Sequence, residues 1–278
     1  MNTQSADTLP PSTVPVFQRW VVFDHTQAVN SDQLQRIVDA LNEDNGPTGE
    51  YAKDLGRSAC IRIGCFAEDG TPDRETGEYA IHIRQDLPEA PGALAYHTVT
   101  NGVPDIESCL ALYDGITGDD GGSDPLSRGM DHEVKEALRN PGANGWKDSV
   151  NSNGRESADE ACDKVQNTYR TASNGVWLSN YLLESAFIPG APPPYDKLGV
   201  MVSQDDVSHG YDIQADAPGN VSEVFGDLHQ LSSTVLAKGH RHVHLVSAKP
   251  ITGKAYQRKV SPWGRAYRIG LRGLASPK

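Results

Sequence analysis

His132 and Glu136 stand four residues apart in the run Asp131-His132-Glu133-Val134-Lys135-Glu136-Ala137-Leu138. On a helix, residues i and i+4 share a face, so this imidazole and this carboxylate can reach one divalent ion. Glu133 then falls where a general base can take the proton of a water activated by that ion. The usual pattern for such chemistry ends in histidine, whereas this one ends in Glu136. Further along, Glu160-Ala161-Cys162-Asp163 offers Glu160 as a third ligand and Asp163 as a group that holds a ligand histidine from behind. The competing reading of the same residues is a solvated helix face on which Glu and Lys side chains pair.

The donor types set the expected metal chemistry. One histidine and two glutamates nearly cancel the charge of a divalent ion, which weakens its power to acidify water. Zinc is the first expectation, and an oxygen-rich set also admits manganese or iron. His97 is expected to be a polar-capped strand histidine rather than a ligand or transition-state donor. Cys162 lies among acids that disfavour its thiolate, so no nucleophilic role is assigned to it. His240, His242 and His244 alternate along a second possible chelate, but Lys238 and Arg241 flank them and no carboxylate is near in sequence. A surface or interface strand with anion or pH-sensitive contacts is the preferred reading there.

These residues need a helix packed on a sheet. Asp124 is placed as N-cap and Pro125 as first helical residue, with Pro141-Gly142 as the stop. Leu126, Met130, Val134 and Ala137 form an apolar stripe, and His132 and Glu136 project from another face, toward a cleft. Upstream, Val16 to Phe23 reads as a buried strand. Ser31 is placed as the cap of a helix with Leu34, Ile37, Val38 and Leu41 on one face. Strands are expected over Ala59 to Phe66, Tyr79 to Arg84, Leu94 to Val99 and Ser108 to Tyr113. Tyr79 to Arg84 is the expected one-sided strand and the edge on which a substrate strand would pair. A helical turn or two is expected over Glu156 to Asp163, and a strand or short helix over Val176 to Leu183. Short alternating runs over Val221 to Phe225, His240 to Val246 and Ala266 to Leu271 suggest a β-rich extension. The resulting division is an extended arm at 1–15, an α+β core with a mixed sheet at 16–200, and a β-rich C-terminal extension with a basic tail at 201–278.

The joint order of several short motifs carries a resemblance. It runs through Ala93-Leu94-Ala95-Tyr96-His97, the Asp131 to Leu138 motif with Pro141 and Asn144, and Glu160-Ala161-Cys162-Asp163 with Val165-Gln166. It continues through Gly175-Val176-Trp177-Leu178-Ser179-Asn180-Tyr181, Pro189-Gly190 and Tyr195-Asp196-Lys197-Leu198-Gly199. Over about residues 16–213 this order resembles a family of phage and bacterial proteins that look like minimal zincin metallopeptidases. The resemblance implies a zincin-like core, metal roles for His132, Glu136 and Glu160, a general-base role for Glu133, zinc, and a protein or peptide substrate. The chain departs from the family at Arg139-Asn140-Pro141, where Gly-Asp-Pro is usual. It departs again at Lys164, where a proline follows Cys-Asp, and at Lys135, where an apolar residue is usual. Two expectations of different class follow: a metallopeptidase, or a structural virion component, associated with capsid or tail, that reuses the fold with a retained or decayed site. A protein acting free in the host cytoplasm is a third.

Composition narrows the setting. With 278 residues, 37% of them hydrophobic and 22% charged, the chain is long enough for a sizeable core. Its 27 glycines and 18 prolines fit an irregular α+β fold better than a bundle. No basic segment followed by an apolar run marks a secretory signal, and no membrane span is apparent, so virion or host cytoplasm is the expected location. Cys60, Cys65, Cys109 and Cys162 are scattered, which suits a reducing compartment while leaving one or two bridges open. All 37 acidic residues lie at or before Asp227, together with 15 of the 25 basic ones, so residues 1–227 carry −22 and the remainder +10. Such a tail at 238–278, with Tyr256, Trp263 and Tyr267 interleaved, is expected either to contact nucleic acid or an acidic partner, phage structural proteins among them, or to neutralise its own acidic body.

Overall fold

The computed structural model describes residues 17–90, 92–100, 103–141, 146–147, 156–207, 211–217, 220–226 and 242–243. The N-terminal arm and, apart from 242–243, the basic tail lie outside the described residues.

Strand β1 (Phe17–Asp24) leads to α1 (Ser31–Asn45), α2 (Glu50–Leu55), β2 (Ser58–Ile63), β3 (Glu78–Arg84), β4 (Ala95–Thr100), β5 (Val103–Cys109) and α3 (Leu126–Arg139). The five strands form one mixed sheet in the order β2-β1-β3-β5-β4. β1, β2, β3 and β5 run parallel, and β4 closes the sheet antiparallel to β5. The fold is therefore α+β, with α1 and α3 on one face. Trp20, Val22, Ile61, Ile81, Ile83 and Ile106 meet Leu34, Ile37, Val38 and Leu41 of α1 and Met130, Val134, Ala137 and Leu138 of α3 in one core. Val21, Phe23 and Ala80 form a second cluster with Phe66 on the opposite face. The unbroken apolar run of β1 thus has its cause: a central parallel strand is covered on both faces.

Several local expectations change. β3 lies between β1 and β5 and buries Ala80 as well as Ile81 and Ile83, so Tyr79 to Arg84 is not an edge; β2 and β4 are the outer strands. Asn30, not Ser31, caps α1, its side-chain oxygen accepting the Gln33 amide at 2.8 Å. α3 begins at Leu126 with Pro125 as its N-cap residue, and the Asp124 carboxylate pairs with Arg128 rather than capping. Leu110–Leu112 is a 3-10 turn and not a continuation of β5. Glu156 to Asp163 is not helical: it supplies the strand β7 defined below, and a 3-10 turn then spans Asp163–Val165.

Downstream come β6 (Trp146–Lys147), β7 (Glu156–Ala158), β8 (Tyr169–Thr171), β9 (Trp177–Ser179), β10 (Tyr211–Ala217), β11 (Asn220–Gly226) and β12 (His242–Val243). β8 and β9 form a small hairpin. A second five-stranded sheet has the order β12-β11-β10-β7-β6. It takes strands from both sides of residue 200, so the segment before Glu160 is hydrogen-bonded to chain well beyond it. Among the described residues, no helix is long and apolar enough to cross a membrane.

Candidate metal centre

α3 has two buried sides of different character. Its apolar side packs into the core it shares with the sheet and α1. The site side begins with His132, whose Nε2 lies 3.0 Å from Glu136 Oε1 and 3.4 Å from Asp163 Oδ1. The backbone N–H of Cys162 donates to the same Glu136 oxygen at 3.1 Å. The i, i+4 spacing thus juxtaposes the two side chains, and the turn after Glu160 closes on them.

His97, expected as a polar-capped strand histidine, lies in this cluster as well. In the antiparallel β4–β5 pair it lies opposite Ile106, and directly opposed residues share a face. Ile106 is a fully buried core residue beneath α3, so His97 faces α3 as well. Its Nδ1 is 3.0 Å from Glu133 Oε2 and 3.9 Å from Glu136 Oε2. Its Nε2 is 3.2 Å from the Asn140 carbonyl and 4.0 Å from Glu160 Oε2. Both ring nitrogens face oxygen acceptors, the pattern of an imidazolium.

The expected ligands His132, Glu136 and Glu160 divide between two groups. His132, Glu136 and Cys162 bring donor atoms within 4.8 Å of one another, and so do His97, Glu136 and Glu160. Glu136 belongs to both. Either group can hold a metal ion. Asp163 Oδ1 lies 3.4 Å from the same His132 nitrogen that faces Glu136. The His240, His242 and His244 side chains lie outside the described residues.

Burial sets the electrostatics. It opposes charge on His97, but the Glu133 hydrogen bond and the Glu160 and Glu133 charges outweigh it and raise the pKa to about 9. Burial opposes charge on His132 too, and Glu136 and Asp163 hold its pKa well above the ordinary value. Burial raises Glu136 to about 8 against the pull of His132. Burial followed by the Glu136 charge puts Glu160 well above the usual carboxylate range. Glu133 is the contrast: burial pushes it up, but His97 and His132 bring it below the ordinary value and keep it ionised. The Cys162 thiol is raised strongly by burial, so the residue is a thiol in this setting and not a nucleophile.

The chain matches no family model, curated protein or solved structure. The reading of this centre therefore rests on its own geometry.

One buried oxygen bears on whether an ion fits. Glu160 Oε1 accepts from Asn140 Nδ2 at 2.9 Å, while its Oε2 is buried without a hydrogen-bond partner among the described residues. Buried polar atoms are nearly always paired, and a carboxylate oxygen left open toward a histidine and another carboxylate suits a cation. Sequence reasoning also passed over Tyr113. It is partly buried, its hydroxyl is buried with no hydrogen-bond partner among the described residues, and burial and then the Glu133 charge raise its pKa. Its ring lies over Gly129, one turn before Glu133, where a Cβ would come within 2.0 Å of the Tyr113 hydroxyl. That contact explains a glycine inside α3, the one local signal that could have pointed to it.

Lys135 has its own explanation. It is fully buried, paired with Asp131 and 2.8 Å from Asp44, between the rings of Tyr51 and Tyr181. Asp131 also accepts from Ser179 N and Asn45 Nδ2, both at 2.8 Å, and Arg170 pairs with Asp44. This network ties α3 to α1 and the β8–β9 hairpin, and so holds the helix that presents the site.

Proposed function

We propose that this protein is a zincin-like, metal-dependent hydrolase that acts on peptide bonds. The observation that carries the reading is that α3 delivers His132, Glu133 and Glu136 into one buried cluster, opposite Glu160 with its unpartnered oxygen. The antiparallel outer strand β4, which brings His97 to the cluster, supports it further. Its outer edge, unpaired among the described residues, is where an extended substrate can add as another strand, in place of the β3 edge expected from sequence. Either His132, Glu136 and Cys162 or His97, Glu136 and Glu160 would hold the ion, so the expected ligands His132, Glu136 and Glu160 are joined by His97 and Cys162 as candidates. Zinc fits histidine, carboxylate and thiol donors, while the oxygen-rich group also suits manganese or iron.

A bound divalent ion would supply Lewis acidity toward the scissile carbonyl and the attacking water. Glu133, ionised and oriented by His97, takes the proton from that water and delivers it to the leaving amine. Burial of the cluster keeps these charges in a weakly screening setting. Glu133→Gln is expected to keep the bound metal and lower peptide hydrolysis by about 10²–10⁴-fold. Unchanged hydrolysis with metal still bound would refute the assignment of Glu133.

A second reading has its own support. The imidazoles of His97 and His132 already pair with the carboxylates, so the cluster can hold together as a scaffold, as in a virion component with a decayed site. Protein that binds no ion and co-sediments with phage particles would decide for it. The proposed contact of the 238–278 tail with nucleic acid belongs to this reading and is checked by salt-dependent binding of the full chain.

A further inference from the structure

We propose that the centre holds two ions, bridged by Glu136. The proposal rests on the metal-site reading above and deepens it.

The two oxygens of Glu136 serve different neighbours. Oε1 is 3.0 Å from His132 Nε2 and accepts the Cys162 amide, while Oε2 points toward His97 Nδ1 at 3.9 Å. Glu136 belongs to both sets of donors: His132, Glu136 and Cys162 on one side, and His97, Glu136 and Glu160 on the other. Asp163, 3.4 Å from His132 Nε2, adds a carboxylate to the first set. A single ion cannot satisfy both sets. Placed in the first, it leaves Glu160 Oε2 buried and unpartnered; placed in the second, it leaves His132, Asp163 and Cys162 without it.

A shared carboxylate is also the part that two-metal centres, with ions about 3.5–4 Å apart, require between their subsites. His97 Nδ1 also lies 3.0 Å from Glu133 Oε2, the kind of contact that orients a ligand histidine. The subsites differ chemically. The first has nitrogen, oxygen and sulfur donors and suits zinc or cobalt; the second has nitrogen and two carboxylates and suits a harder ion.

The test is metal stoichiometry on the full chain, stripped with chelator, reloaded with Zn²⁺, desalted and measured by mass spectrometry. Wild type is expected to hold two ions per chain, and His97→Ala and His132→Ala one each, with circular dichroism showing each variant folded. Reloading with Co²⁺ is expected to give a near-ultraviolet thiolate charge-transfer band that Cys162→Ser abolishes and His97→Ala retains. One ion in wild type, lost in either histidine variant or in both, would overturn the bridge and leave the single-site reading standing. Two ions that survive both substitutions would place them elsewhere and overturn the bridge as well. No ion in wild type would overturn both readings.

Discussion

His82 shows how an environment decides the behaviour of a residue whose type is visible in sequence. It lies on the face of β3 away from α3, stacked on Phe23 with ring centroids 5.7 Å apart, and its Nδ1 is 2.8 Å from His25 Nε2. Burial, then the charges of His25 and Arg84, lower its pKa to about 4. The unfolded chain takes up a proton near pH 6.5 that the folded chain refuses until about 4, so stability falls as pH drops through that window. The contribution is roughly 2 kcal/mol after allowance for partial exposure. Urea denaturation at pH 7 and pH 4.5 checks this: the wild-type midpoint should drop more than that of His82→Phe. Equal drops would show that His82 does not carry the effect. His97, on the other face, is driven the opposite way by its carboxylate neighbours, although both are strand histidines.

At the scale of elements, α3 is held by polar contacts on one side and apolar ones on the other. Its apolar stripe was readable from spacing, because i, i+3 and i+4 neighbours follow from helix geometry. Lys135 was not, since a lysine in a helix gives no sign that Asp44, Asp131 and Arg170 will enclose it. Lys135→Ala leaves Asp131 buried without its cation and is expected to cost about 3–5 kcal/mol by chemical denaturation. A loss below about 1 kcal/mol would mean that Asn45 and the Ser179 amide suffice for Asp131. Arg57 also donates to the Leu138 and Arg139 carbonyls, both at 3.0 Å, and so ties down the end of the same helix.

At the scale of the molecule, the metal centre depends on chain far downstream. β7 pairs with β10, and Lys164, two residues past Cys162, lies 2.6 Å from Asp212 in a buried ion pair. Neither Asp212 oxygen meets hydrogen-bond geometry, so the lysine acts there as a counter-charge. This accounts for a buried lysine directly after Asp163. Lys164→Ala should destabilise the protein by about 3–5 kcal/mol, and Lys164→Ala/Asp212→Ala by clearly less, because the double variant leaves no buried lone charge. Matching losses would assign the effect to lost packing.

The sequence by itself determined the local part of this protein: the α+β order, the helix carrying His132, Glu133 and Glu136, the sidedness of that helix, and Glu160 and Asp163 as candidates. Helical spacing and apolar patterning are short-range properties, written in neighbouring residues. Only the tertiary structure decided that β3 is central and β4 outermost, that pairing with β5 turns His97 onto α3, and that Glu136 stands between two donor sets. Those facts depend on strand order and register, which join residues that local patterning leaves independent.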